Sequence, residues 1–409
     1  MKIRRVDLFV VFVLMFSSSV MGQSKLEQIA SFEHPGAKAS RVTGGRQVAL
    51  SDNGKTLIAA FFGSKAQLYD LRTQKAITDP IGTSGDGEIG FVSNDVVFTA
   101  DWESMRLWDV KTGDAIGEPI PHRLREDTII KPAISSDGKY IATRNSMNSF
   151  QLWDAQSQKA IGEARQFESV VGWLTFSADN RMLYVKAGKR LFVFATDSAK
   201  QIAGAFESVY RFHPLPEQKK LITIEGENAD QLVLRTTEEN GWPEIDRVLL
   251  AGKFKRIIEL DDNRLLIQST KGDYSPDIIV LPINDLRNES RLEADVDRAF
   301  KVLVTGDRDH WICNNIHNVS CQRFGQSSSI WKLNCHCNGY KQGIYLLDDE
   351  HVVIHDTNSK NNYVASCHRI SDGSKIWEQG SVAKIFVQDQ MLFVCNSDGV
   401  QVWAVKQDD

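Results

Sequence analysis

Four stretches in the first half of the chain align without a gap, and their recurrence limits the possible fold more than any other feature. They are Gln67 to Ile77 (QLYDLRTQKAI), Arg106 to Ile116 (RLWDVKTGDAI), Gln151 to Ile161 (QLWDAQSQKAI) and Phe192 to Ile202 (FVFATDSAKQI). In each, an aromatic residue (Tyr69, Trp108, Trp153, Phe194) is followed eight positions later by isoleucine (Ile77, Ile116, Ile161, Ile202). The aromatics recur at spacings of 39, 45 and 41 residues. Such a period marks a supersecondary unit that buries its apolar face against copies of itself.

A second shared element precedes three of the four. ALSDNGKTLIAA from Ala49, AISSDGKYIAT from Ala133 and TFSADNRMLYV from Thr175 each read as an apolar run, a polar turn and another apolar run. Asn53-Gly54 and Asp137-Gly138 are turn signals, because glycine accepts positive φ at no steric cost. The unit is therefore strand, turn, strand, loop, aromatic strand, turn, strand. Four short strands in about forty residues form one blade of a β-propeller. The expected fold class is all-β, a single propeller of four-stranded blades.

Leu107-Trp108-Asp109 and Leu152-Trp153-Asp154 resemble the third-strand signature of the WD-repeat family, and Ser136 to Lys139 resembles its first hairpin. Pro121-His122 stands where that family often carries Gly-His. Proline replaces glycine there and most blades lack the histidine, so the family's Asp-His-Ser-Trp network is not reconstructed. The resemblance covers residues 44 to 205 and implies a protein-interaction module. Farther on the rhythm persists without the signature. Gln231 to Thr237, Asp277 to Ile283, Ser320 to Gly325 and Ser366 to Glu378 are expected to be further third-strand segments. The last is similar to a quinoprotein-type repeat, in which a glycine turn leads to a tryptophan-bearing strand, and Ile330-Trp331 is a weaker copy.

The chain ends fit a closing device. Ala383 to Val405 supplies three strands, and Leu26 to Phe32 offers the missing fourth. Their pairing would remove both open sheet edges. Third strands, with Val402-Trp403 included, suggest eight or nine blades, with a weak module in 208–300 as the uncertain one. Ahead of the first strand, Lys2, Arg4 and Arg5 precede the apolar run Leu8 to Phe16 and small residues up to Gly22. This is the pattern of an export signal over residues 1–22, cleaved near Gly22 or kept as a tether. The propeller domain is then 23–409, in the periplasm or outside the cell. No later run has the ~20 apolar residues a spanning helix needs.

Charge and chemistry narrow the function classes. With 48 basic and 53 acidic residues the net charge is −5, and the cations form no long run, so no nucleic-acid footprint is visible. All six cysteines (Cys313, Cys321, Cys335, Cys337, Cys367 and Cys395) lie in the last quarter. In an exported chain an even number favours disulfides. A hairpin centred on His317 would set Cys313 opposite Cys321. Six of nine histidines fall between 310 and 368, and Cys335-His336-Cys337 is rich in soft metal donors. The spacing lacks paired C-x-x-C units, and His351 and His355 on one strand are ~13 Å apart, too far to share an ion. Gly85 to Gly90 matches G-x-G-x-x-G, but a strand follows where a dinucleotide site needs a helix. The aromatics Tyr69, Trp108, Trp153, Phe194 and Trp403 are expected in the blade core, with Asp109 and Asp154 as signature residues. No catalytic residue, cofactor or metal is assigned. The expected function is a monomeric, non-enzymatic scaffold binding a protein or surface polymer. The alternative is a quinoprotein-like or other propeller enzyme with a site in the central channel.

Overall fold

A computed structural model describes residues 25–33, 47–60, 65–82, 88–101, 103–121, 132–144, 148–239, 241–271, 276–292, 301–315, 317–326, 328–335, 343–357, 363–396 and 399–406. The proposed export signal, His122, Gly85 to Gly87, His336 and Cys337 lie outside the described residues. Short runs of apolar residues separated by polar turns fold here into antiparallel four-stranded sheets, nine in number among the described residues. The region 208–300, expected to hold a weak module, contains two complete blades, starting at Arg211–Leu215 and at Lys253–Asp261.

Blades 1 to 8 each use four consecutive strands. Their inner strands are Gln47–Leu50, Glu88–Ser93, Ala133–Ile134, Val171–Phe176, Arg211–Leu215, Lys253–Asp261, Lys301–Val304 and Gly343–Leu346. The third-strand expectations of the second half hold, since Gln231–Thr236, Pro276–Pro282, Asn318–Arg323 and Tyr363–Arg369 all occupy that place. The core is divided among the blade junctions. Nine separate apolar clusters each join one blade to the next, and the last joins blade 9 to blade 1. The ring is therefore held by sheet-on-sheet burial, as a repeat architecture requires.

Blade 9 is the closure. Its inner strand Lys384–Gln388 is followed by Met391–Cys395 and Gly399–Lys406, and its outer strand is Lys25–Glu33. Leu26 pairs with Val405, Gln28 with Trp403 and Phe32 with Val400, with one bulge at Ile29. Leu26, Ala30 and Phe32 are buried. Blade 1 grips the same strand, because the Tyr69 hydroxyl donates to the Glu33 carbonyl (2.9 Å) and Gln74 Nε2 donates to the Ile29 carbonyl (3.0 Å).

The expected Cys313–Cys321 bridge is not formed. The hairpin register sets Cys313 opposite Ser320 and Cys321 opposite Ile312. Adjacent pairs alternate faces, so the two thiols point away from each other. Cys313 belongs to the junction of blades 6 and 7, Cys321 to that of blades 7 and 8. Burial pushes the Cys321 and Cys367 thiols up to about 12.

Two outcomes follow. Phe32→Ala should cost about 3 kcal/mol or more of unfolding free energy, measured by urea titration, since a buried ring is lost at the closure. Alkylation at neutral pH should leave Cys321 and Cys367 unmodified in the native chain and label both in urea, with no 313–321 bridge in the peptide map.

Candidate functional site

The inner strand of each blade has one edge with no partner strand in its own sheet, and its backbone polar groups still require partners. Side chains from the preceding blade supply several of them at one end of the ring, where the inner strands begin. Gln47 Oε1 accepts from the Ile89 N–H (3.1 Å). Arg144 Nη1 donates to the Val171 carbonyl. Arg256 Nη1 donates to the Val302 carbonyl (2.6 Å), and Lys301 Nζ to the Ile344 carbonyl (2.6 Å). Each contact ties one blade to the inner strand of the next around the channel mouth.

Further cations join the stitching Arg256 and Lys301 at this mouth, and one of them, Lys186, donates to the Gly188 carbonyl (2.6 Å). Lys186, Arg211, Lys253, Lys255, Arg256 and Lys301 cluster there across blades 4 to 7, and none forms an ion pair among the described residues. Burial, then the nearby Arg256, lowers the Lys301 ammonium to about 8. Burial, then Arg211, lowers that of Lys186. Arg144 falls to about 10 through burial, and its Nη2 is buried with no hydrogen-bond acceptor. The described acids beside them are engaged: Glu225 accepts from Arg235 (2.7 Å) and from Thr223 (2.5 Å), and Asp277 is held by Arg291.

Aromatic rings support these cations. The Arg211 guanidinium lies 4.9 Å from the Trp173 ring centroid, Lys253 Nζ 5.6 Å from that of Tyr210, and Lys301 Nζ 4.4 Å from that of Tyr345. Trp173 is 45% exposed and Tyr210 38%, both large for aromatic residues. Backbone bulges aim the side chains. The register slips at Gly172, between Val171 and Trp173, and at Lys255, between Phe254 and Arg256. A bulge of this kind re-aims the residues beside it. The signals were present in the sequence as Lys253-Phe254-Lys255-Arg256 and Tyr210-Arg211, but only the ring brings them together.

At the opposite end, hairpin turns are held by side-chain hydrogen bonds. Ser51, Ser135, Ser177 and Thr305 each donate to Asn53, Asp137, Asp179 or Asp307 two positions on (2.8, 2.7, 2.6 and 2.5 Å). The Thr305 copy lies in the half without signature. Neighbouring turns are tied together, with Asn94 Oδ1 accepting from the Asn53 N–H (3.0 Å) and Asn180 Oδ1 from the Ser136 N–H (3.0 Å). Gly138 has a φ of +70°, and a Cβ there would lie 2.4 Å from the Val92 carbonyl of blade 2. A cleft of about 490 Å³ between blades 3 and 4 is lined by Asp137 and Asp179, whose carboxylates are taken by these turns.

The signature residues also serve the blades. Tyr69 and Phe194 are buried at the junctions with the preceding blades, and Trp108, Trp153 and Trp403 pack beside the corresponding clusters. Trp108 Nε1 donates to Thr99 (3.0 Å) and Trp153 Nε1 to Thr143 (2.8 Å). Asp109 accepts from the Lys111 and Thr112 N–H groups (2.8 and 2.9 Å), and Asp154 from the Ser157 N–H and hydroxyl (2.7 and 2.6 Å). These donors hold both carboxylates below the usual range. Trp331 lies over Gly373 of the next blade and donates to the Ile370 carbonyl (2.6 Å), a contact that links the two quinoprotein-type segments. His351 is buried against Asp348 (2.8 Å) and His368 against the Gly373 carbonyl (3.0 Å). Among the described residues no group of three His, Cys, Asp or Glu side chains could hold a metal ion. Gly90 lies within an inner strand, packed on Phe98, which rules out the helix a dinucleotide site needs. Thr143→Val should leave the Trp153 indole N–H unpaired and cost about 1 kcal/mol in urea unfolding.

No family model matches the chain, and no curated protein sequence matches it. Solved structures do share its fold. A crystal structure of the eukaryotic initiation factor is 12% identical with a TM-score of 0.56, covering 92% of this chain and 99% of the other. Dihydro-heme d1 dehydrogenase NirN in complex with DHE is 11% identical with a TM-score of 0.53, covering 87% and 78%. BamB from Moraxella catarrhalis is 13% identical with a TM-score of 0.50, covering 93% and 99%. At these identities the likeness establishes one thing, that this chain is a β-propeller, here with nine blades.

Proposed function

We propose that this protein is an exported, non-enzymatic β-propeller that binds a protein partner at the channel mouth of blades 4 to 8. One observation carries the reading. The signature aromatics and aspartates and the buried histidines are absorbed into turns and blade junctions, whereas the mouth keeps exposed aromatics and cations that form no ion pair among the described residues. Exposed aromatic and arginine side chains are the usual anchors of protein interfaces. Loops at one end of a rigid scaffold are also where binding residues concentrate. The WD-like signature supports interaction by analogy alone, and the shared fold is silent because an enzyme also uses it.

A photo-crosslinking residue at position 173 should capture a discrete protein in the producing cell, and one at Lys75, on the outer strand of blade 1, should not. The recovered chain should begin near Gln23, outside the cytoplasm, and be colourless. Equal capture at both positions would defeat the reading, as would an absorbance band from a bound quinone.

A further inference from the structure

The charge pattern at the mouth is specific enough to name a ligand chemistry. We propose that the channel mouth of blades 4 to 7 binds an extended acidic peptide segment, across Lys186, Arg211, Lys253 and Lys301. This rests on the binding reading above and adds the chemistry of the partner.

The cations are spread over successive blades instead of converging on one point. Blades pack about 10 Å apart face to face, so a small anion would meet only one or two of them. An extended chain with charges at intervals would meet them all. Two pairs are already close enough to disfavour one another's charge, Lys186 with Arg211 and Lys301 with Arg256. An added carboxylate relieves that repulsion at each pair.

The aromatic rings distinguish a peptide from other polyanions. Nucleic-acid platforms need open ring faces on which bases can stack, and sugar rings need the same flat surface. Here Arg211 lies over Trp173 while Phe212 meets that ring at 65°, 6.3 Å between centroids. Lys253 and Lys301 occupy the faces of Tyr210 and Tyr345 in the same way. The rings act as shelves that hold cation heads in place, which suits discrete carboxylates.

The test measures binding of a fluorescent oligoglutamate of about fifteen residues, roughly 50 Å when extended. The purified mature chain should bind it, more weakly as ionic strength rises. Arg211→Glu with Lys253→Glu should weaken binding by at least about tenfold, and Lys75→Glu by less than about twofold. Thermal unfolding of each variant confirms that the fold is kept. Oligoglutamate should also slow acetylation of Lys301, read by mass spectrometry. Failure to bind would overturn the inference, as would an unchanged affinity in the mouth variant or an equal loss in Lys75→Glu. Tighter binding of single-stranded DNA, heparin or oligogalacturonate would replace the peptide by another polymer. Displacement by inorganic phosphate at matched charge would reduce the mouth to a small-anion site. If oligoglutamate fails while crosslinking at position 173 persists, only the acidic-peptide assignment falls.

Discussion

The antiparallel pairing of Lys25–Glu33 with Gly399–Lys406 is the interaction on which the rest of the ring depends. Each blade buries its apolar face only against its neighbours, so an open ring would leave two sheet faces and two edges in water. The closing strand removes both problems. Phe32 fills the junction between the last blade and the first, and Tyr69 secures it through a buried hydroxyl that donates to Glu33. The first aromatic of the sequence repeat thus has a second task that its siblings lack. Tyrosine is the only one of the four with a hydroxyl to offer.

Much of this was legible from the residues. Aromatic-to-isoleucine spacing located the third and fourth strands, and polar turns such as Asn53-Gly54 and Asp137-Gly138 located the hairpin between first and second strands. Gly-Glu after Ile116 and Ile161 marks a bulge, with Gly117 and Gly162 at φ of +59° and +65°. The blade count was blurred between 208 and 300 because Leu, Ile and Val replace the aromatics there. The junction of blades 5 and 6 is packed by Leu232, Leu234, Leu265 and Ile279, which leave no landmark in the sequence. The disulfide expectation failed by one residue of register. A hairpin centred on His317 is a matter of where the turn falls, and shifting the pairing by one position exchanges the two faces of a strand.

The candidate site was least legible, for a physical reason. Trp173, Arg211, Lys253 and Lys301 are far apart in the chain and belong to four different repeats. Each sits near the start of an inner strand, where a single blade gives no cue that its neighbours carry similar residues. The functional surface arises from the stacking of repeats, whereas the signature residues serve the inside of each repeat. Conspicuous motifs therefore pointed to structure. The unremarked strand openings hold cations that form no ion pair among the described residues.

The closing strand also has a consequence for timing. Its two halves leave the ribosome far apart in time, because Lys25 is paired to Lys406. At about 5–20 residues per second, roughly 20 to 80 s pass between them. Blades 1 to 8 can form in order during that interval, each on its predecessor. Lys25–Glu33 cannot find its partner until Gly399–Lys406 has been made. Until then the strand carrying Leu26, Ala30 and Phe32 lacks its partner, which gives any chaperone a defined, sequence-local target. Its disappearance would report that the ring has shut.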